Sequence, residues 1–186
     1  DTDLLIGERD VATVRGLLEA RGYARSPLVD GSLVMGQAEY VREDPSGVRH
    51  AIDVHWQLGN PRILADLLSF EKLWARAVGV APLGQAARTP CAEHALLVAG
   101  VHRVAHHGPL PRLIWLYDLH LLAGAMATDA LASFARLAVR ARVARVCAHE
   151  LTTARAAFDT RLAIDPGELD AIFTGADPDE PSARYL

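Results

Sequence analysis

The chain has 186 residues, 51% of them hydrophobic, and 19 Lys and Arg against 23 Asp and Glu leave a formal net charge of -4. That suits one generous domain or two small ones around a buried core, and with no basic run or stripe it argues against an extended nucleic-acid-binding surface. Cys91 and Cys147 lack CxxC spacing, which argues against a disulfide framework or thiolate zinc site and fits a reducing, cytoplasmic setting, while the apolar runs 95–101 and 113–126 fall short of a membrane span.

The chain opens without a methionine, directly on Asp1, so upstream sequence is expected to have been removed or left unrecorded. Residues 2–6 read as a strand. Asp10 is placed to cap a helix that carries Val11, Val14, Leu17 and Leu18 at helical spacing and stops at Gly22. Residues 33–42 and 48–58 read as two strands of a hairpin, joined by Asp44-Pro45-Ser46-Gly47 with Pro and Gly at favoured turn positions. From Pro61 the pattern turns helical, anchored by Ile63, Leu64, Leu67, Leu68, Leu73 and Trp74, and it loosens between Gly79 and Pro90. The second half is rich in Ala, Leu and Arg and predicts helices at about 91–107, 112–125, 129–142, 144–161 and 166–173, followed by a frayed tail. The expected organisation is an α/β domain over 1–85, a helical domain over 86–175 and a tail over 176–186.

Three carboxylates carry the chemistry. Residues two apart on a strand share a face, so Asp1 and Asp3 project together, about 7 Å apart along the strand. Asp53 is embedded in an apolar strand, on the face of Ala51 and His55, with Ile52, Val54 and Trp56 opposite. If the two strands are neighbours, three acids converge, as metal-assisted phosphoryl transfer requires. The alternative is structural: Asp1 and Asp3 solvated at a strand start, and Asp53 paired with Arg42 or Arg49.

Asp1-Thr2-Asp3-Leu4-Leu5-Ile6, the segment Leu18 to Tyr23, and Ile52-Asp53-Val54-His55-Trp56-Gln57-Leu58 together resemble the uncharacterised bacterial nucleotidyltransferase family of the polymerase-β-like superfamily. The likeness continues through Glu93-His94-Ala95-Leu96-Leu97, His102, His106-His107-Gly108 and residues 113–119, covering most of the chain. The resemblance implies an α+β fold, a mixed sheet with flanking helices followed by a helical bundle. It also implies divalent metals (Mg²⁺ or Mn²⁺) on Asp1, Asp3 and Asp53, with a nucleoside monophosphate moved from an NTP to an acceptor hydroxyl and pyrophosphate released. By position, Asp1 and Asp3 match the superfamily's paired acids, and Asp53 matches the third acid, which assists deprotonation of the acceptor. One departure from the family pattern is that the superfamily's Gly-Ser element, which lies before the paired acids and holds the triphosphate, is absent from a sequence that starts at Asp1, and the preceding strand and helix would be missing with it.

His55 shares the face of Asp53, where it can touch the acceptor or orient the carboxylate. His94, His102 and His106 fall on one helical stripe, which reads first as interface packing. Two further readings stay open. One is a catalytically inactive relative serving as a binding or regulatory partner, in the manner of an antitoxin; the other is a metal hydrolase built from His102, His106, His107 and Asp118.

Overall fold

A computed structural model describes residues 2–26, 36–58, 64, 67–106, 112–177 and 179–185. The chain divides into two compact units, 1–72 and 73–186.

In the first unit, strands β1 (Thr2–Leu5), β2 (Ala24–Arg25), β3 (Gln37–Glu43) and β4 (Arg49–His55) form one mixed sheet in the order β1-β4-β3-β2. The β3–β4 hairpin is the expected one. The amide of Gly47 donates to the carbonyl of Asp44 at 2.9 Å, and the Asp44 carboxylate accepts from the Ser46 hydroxyl and from the amides of Ser46 and Val48. Those bonds, led by the Ser46 hydroxyl, hold the Asp44 carboxyl well below the usual carboxylate range. The part of the expected first strand before Gly36 lies outside the described residues. At Gly36 the backbone takes φ +59°, and a Cβ there would sit 2.6 Å from that of Gln57. Glycine is the residue that leaves the Gly36 carbonyl open to the amides of Trp56 and Gln57.

Helix α1 (Val11–Glu19) packs on one face of this sheet. Leu18, Ala38, Tyr40 and Val54 are buried, with Ile6, Val14, Tyr23, Ile52 and Trp56 packed against them. Strand alternation makes this possible, since even-numbered residues of β3 and β4 point to the helix and odd-numbered ones to the other face. The helix ends in a Schellman arrangement: the Tyr23 amide bonds the Leu18 carbonyl and the Gly22 amide that of Glu19, with Gly22 at φ +80°. Two expectations need correction. Asp10 makes no side-chain cap, because a turn of 3-10 helix over Glu8–Asp10 leads into α1 instead. Leu17 is half exposed, since 14 and 18 define the buried stripe and 17 falls beside it.

Of the helix expected from Pro61, residues 61–63, 65 and 66 lie outside the described residues. Leu64, Leu68 and Leu73 are buried, Leu73 on a short helix α2 (Phe70–Ala75) whose Trp74, expected as an apolar anchor, is exposed. Two short antiparallel strands, β5 (Val78–Gly79) and β6 (Arg88–Thr89), occupy the stretch read as a loosening. They went unread because two residues give no periodicity.

The second unit is carried by α3 (Ala92–His106), α4 (Leu113–Gly124), α5 (Thr128–Arg140), α6 (Ala144–Phe158) and α7 (Pro166–Phe173), each inside its expected span to within a residue. Helix α3 packs against α4, α5 and α6, and α7 against α5 and α6. Pro166 and the Asp165 carboxylate, which accepts from the amides of Gly167 and Glu168, open α7. Buried between α3 and α6, Arg103 and Glu150 form an ion pair, with Nε 2.8 Å from Oε1. The expected frayed tail is in fact docked. Residues Pro181–Tyr185 make a 3-10 turn, Glu180 and Ser182 are buried, and Glu180 accepts from the Arg145 amide in the first turn of α6. Ser182 Oγ reaches both the Arg142 carbonyl and the Glu180 carboxylate, and Asp177 pairs with Arg142. No described helix is long and apolar enough to cross a membrane.

Candidate functional site

The face of the sheet away from α1 carries the site. Strand β1 runs parallel to β4 with Asp3 directly beside Asp53, and β3 runs antiparallel to β4 with Glu39 beside Asp53 on the other side. Three carboxylates therefore form one row across β1, β4 and β3. One step along, His55 lies between Leu5 and Gln37, and its Nε2 is 3.0 Å from Asp3 Oδ1. Asp1 lies outside the described residues.

Asp3, Asp53 and His55 each offer a ligand atom, and the three atoms lie within 4.8 Å of one another. Burial raises the Asp53 carboxyl above its ordinary value, and the neighbouring Asp3 and Glu39 push it the same way, against a smaller opposite pull from His55. Among the described residues nothing donates a hydrogen bond to it. A half-buried carboxylate flanked by two others is the donor environment a hard divalent cation relieves, so these residues fit such an ion.

The arginine pairing held open for Asp53 does not form. Arg49 instead pairs with Glu39 at 3.0 Å, and Arg42 donates to the Arg21 carbonyl and lies over the Tyr23 ring. Glu39 is the site-face residue that the sequence reading passed over. The turn held the signal, because the backbone bond from the Asp44 amide to the Val48 carbonyl fixes the hairpin register and brings 39 opposite 53.

The histidine stripe behaves differently. His94 is buried, and its Nδ1 has no hydrogen-bond partner among the described residues. Burial, then Arg76, lowers its pKa. The His102 ring lies 5.8 Å from that of Trp115, over which Arg112 also sits. The His106 side chain and His107 lie outside the described residues. Among the described residues Asp3, Asp53 and His55 are the group close enough to share a metal, and neither His94, His102 nor Asp118 belongs to it.

No curated protein and no solved structure matches the chain. A family model described as an uncharacterised nucleotidyltransferase matches residues 1–159, which takes in the whole described sheet, the carboxylate row and four of the five helices of the second unit. The match covers most of the sequence, and the chain belongs to the uncharacterised nucleotidyltransferase family.

Proposed function

We infer that the protein is a metal-dependent enzyme that moves a nucleoside monophosphate from an NTP to a hydroxyl on a small molecule, peptide or protein. The observation that carries this reading is the register of β1 on β4, which sets Asp3 beside Asp53 on one face of the sheet with His55 bound to Asp3. Asp3, Asp53 and Asp1 would hold Mg²⁺ or Mn²⁺, with His55 orienting Asp3 or adding a ligand. When bound, such an ion neutralises the triphosphate oxygens and the charge that builds as the phosphoryl group transfers.

The chain's own residues do the rest. The acceptor oxygen forms a bond to the α-phosphorus, the bond from that phosphorus to the bridging oxygen breaks, and pyrophosphate departs with the electron pair. Asp53 takes the hydroxyl proton. Cys91 and Cys147 are free thiols, which supports a reducing, cytoplasmic setting.

Thermal unfolding of the full-length protein with Mn²⁺ and each of the four NTPs, beside Asp3→Asn, tests the reading. A ligand that binds the folded state raises the melting temperature with the logarithm of its excess. A metal-dependent rise with an NTP, lost in Asp3→Asn, is the expected result. No rise with any NTP would sink the catalytic reading in favour of a binding or regulatory protein on the same fold.

A further inference from the structure

Glu39 stands in the carboxylate row yet outside the group that can share a cation. Register pairs it directly with Asp53. Opposed residues on neighbouring strands lie about 4.5–5.5 Å apart at Cβ, close enough for like charges to repel and for two carboxylates to reach one ion. The ligand atoms that cluster nevertheless come from Asp3, Asp53 and His55. Glu39 is engaged instead by Arg49, whose Nη2 lies 3.0 Å from Glu39 Oε1. The Glu39 side chain is 16% exposed and that of Arg49 60%, so the acid is fixed in the sheet face and the arginine reaches in from solvent. Val41 opposite Ala51 forms the row between them, and Ala51 is too short to block that reach.

We propose that Arg49 is a positioning residue of the cation site, holding Glu39 out of the group that Asp3, Asp53 and His55 form. This rests on reading Asp3 and Asp53 as metal ligands. The physical reason is ligand count. Carboxylate number and charge set the affinity of a hard-cation site, and a site that must also admit triphosphate oxygens has to keep positions and positive charge available. A charge-assisted bond to arginine occupies the third acid without removing it. Glu39 is thus kept as the partner that anchors Arg49, and Arg49 as the group that keeps Glu39 from closing the site.

The test is calorimetric titration with Mn²⁺ alone, with no nucleotide and no activity readout. The full-length wild type is compared with Arg49→Gln, Arg49→Lys, Glu39→Gln, the Glu39→Gln/Arg49→Gln double variant and Asp53→Asn, each checked for folding by circular dichroism. Arg49→Gln should bind Mn²⁺ on the order of tenfold more tightly, the gain of one carboxylate ligand. Arg49→Lys, which keeps an ion-pairing charge, should match the wild type. In the Glu39→Gln background Arg49→Gln should change nothing, because there is no acid left to release. If Arg49→Gln leaves the affinity unchanged, or raises it equally with Glu39→Gln in place, Arg49 does not act through Glu39 and the proposal falls. Those results overturn the role of Arg49 alone so long as Asp53→Asn still abolishes binding. Mn²⁺ bound equally well after Asp53→Asn would instead overturn the metal-site reading, and this proposal with it.

Discussion

The two units treat their partly or fully buried charges in opposite ways. Between α3 and α6, Arg103 and Glu150 are both removed from water and bound to each other. On the sheet face away from α1, Asp53 lies between Asp3 and Glu39, three carboxylates in one row, with His55 against Asp3 and Arg49 against Glu39. The first arrangement is complete in itself and holds helices together. The second raises the proton affinity of Asp53, a strain that a bound cation would relieve. Buried charge of mixed sign marks structure in this molecule, and gathered charge of one sign marks the place where a ligand is expected.

The sharpest way to break that comparison is at Arg103. Replacing it with Met leaves Glu150 buried without that partner, and urea denaturation should show a loss of about 3–5 kcal/mol. The double change Arg103→Met/Glu150→Met should recover most of it, since an apolar pair of similar volume removes both desolvation penalties. If the single change costs under about 1 kcal/mol, the pair is not what balances charge in the helical unit.

A smaller effect is expected at the docked tail. Glu180 caps α6 through the Arg145 amide and meets the Ser182 hydroxyl. Glu180→Ala removes the acceptor of the Arg145 amide and one of the two partners of the Ser182 hydroxyl, and the expected cost is roughly 1–2 kcal/mol. Hydrogen exchange at Ala183, whose amide bonds the Glu180 carbonyl, should speed up. Unchanged exchange there would show that the segment docks by other contacts.

The smallest effect has the opposite sign. The folded carboxyl of Asp53 is raised above its ordinary value of 3.8. Its contribution to stability is therefore fully present below that value and is lost as pH rises through the folded pKa. At neutral pH the metal-free wild type carries a penalty that Asp53→Asn lacks. Solvent still reaches the carboxylate and screens it, so Asp53→Asn should melt only about 1–3 °C higher at pH 7, with the difference vanishing in acid. A variant that melts lower at pH 7 would mean the carboxylate is already compensated in the absence of metal.

Much of this was legible in the sequence, for reasons that differ by element. The helices of the second unit announce themselves through long apolar periodicity, and the hairpin through Asp44-Pro45-Ser46-Gly47. The acids at 3 and 53 stand out because each interrupts or precedes an apolar strand. The adjacency of β1 and β4 is different in kind, since no local pattern says which strands pair, and it came from resemblance. Glu39 was missed because an acid at alternating spacing on a half-exposed strand is ordinary until register sets it beside Asp53. The docking of 180–185 escaped because a polar, proline-rich segment shows no apolar stripe. Its burial is achieved with hydrogen bonds to the start of α6.

The β1–β4 pairing also bears on when the site comes into being. His55 and Asp3 are 52 positions apart in sequence, whereas β3 and β4 are joined by a tight turn. Closing a long loop costs more entropy than closing a short one, so the hairpin is expected to form early and β1 to add to it late. Asp53 is then in place beside Glu39 before Asp3 arrives, and the two aspartates meet only when the sheet is finished. During refolding, cation capture would therefore lag behind the formation of secondary structure and report the arrival of the last strand.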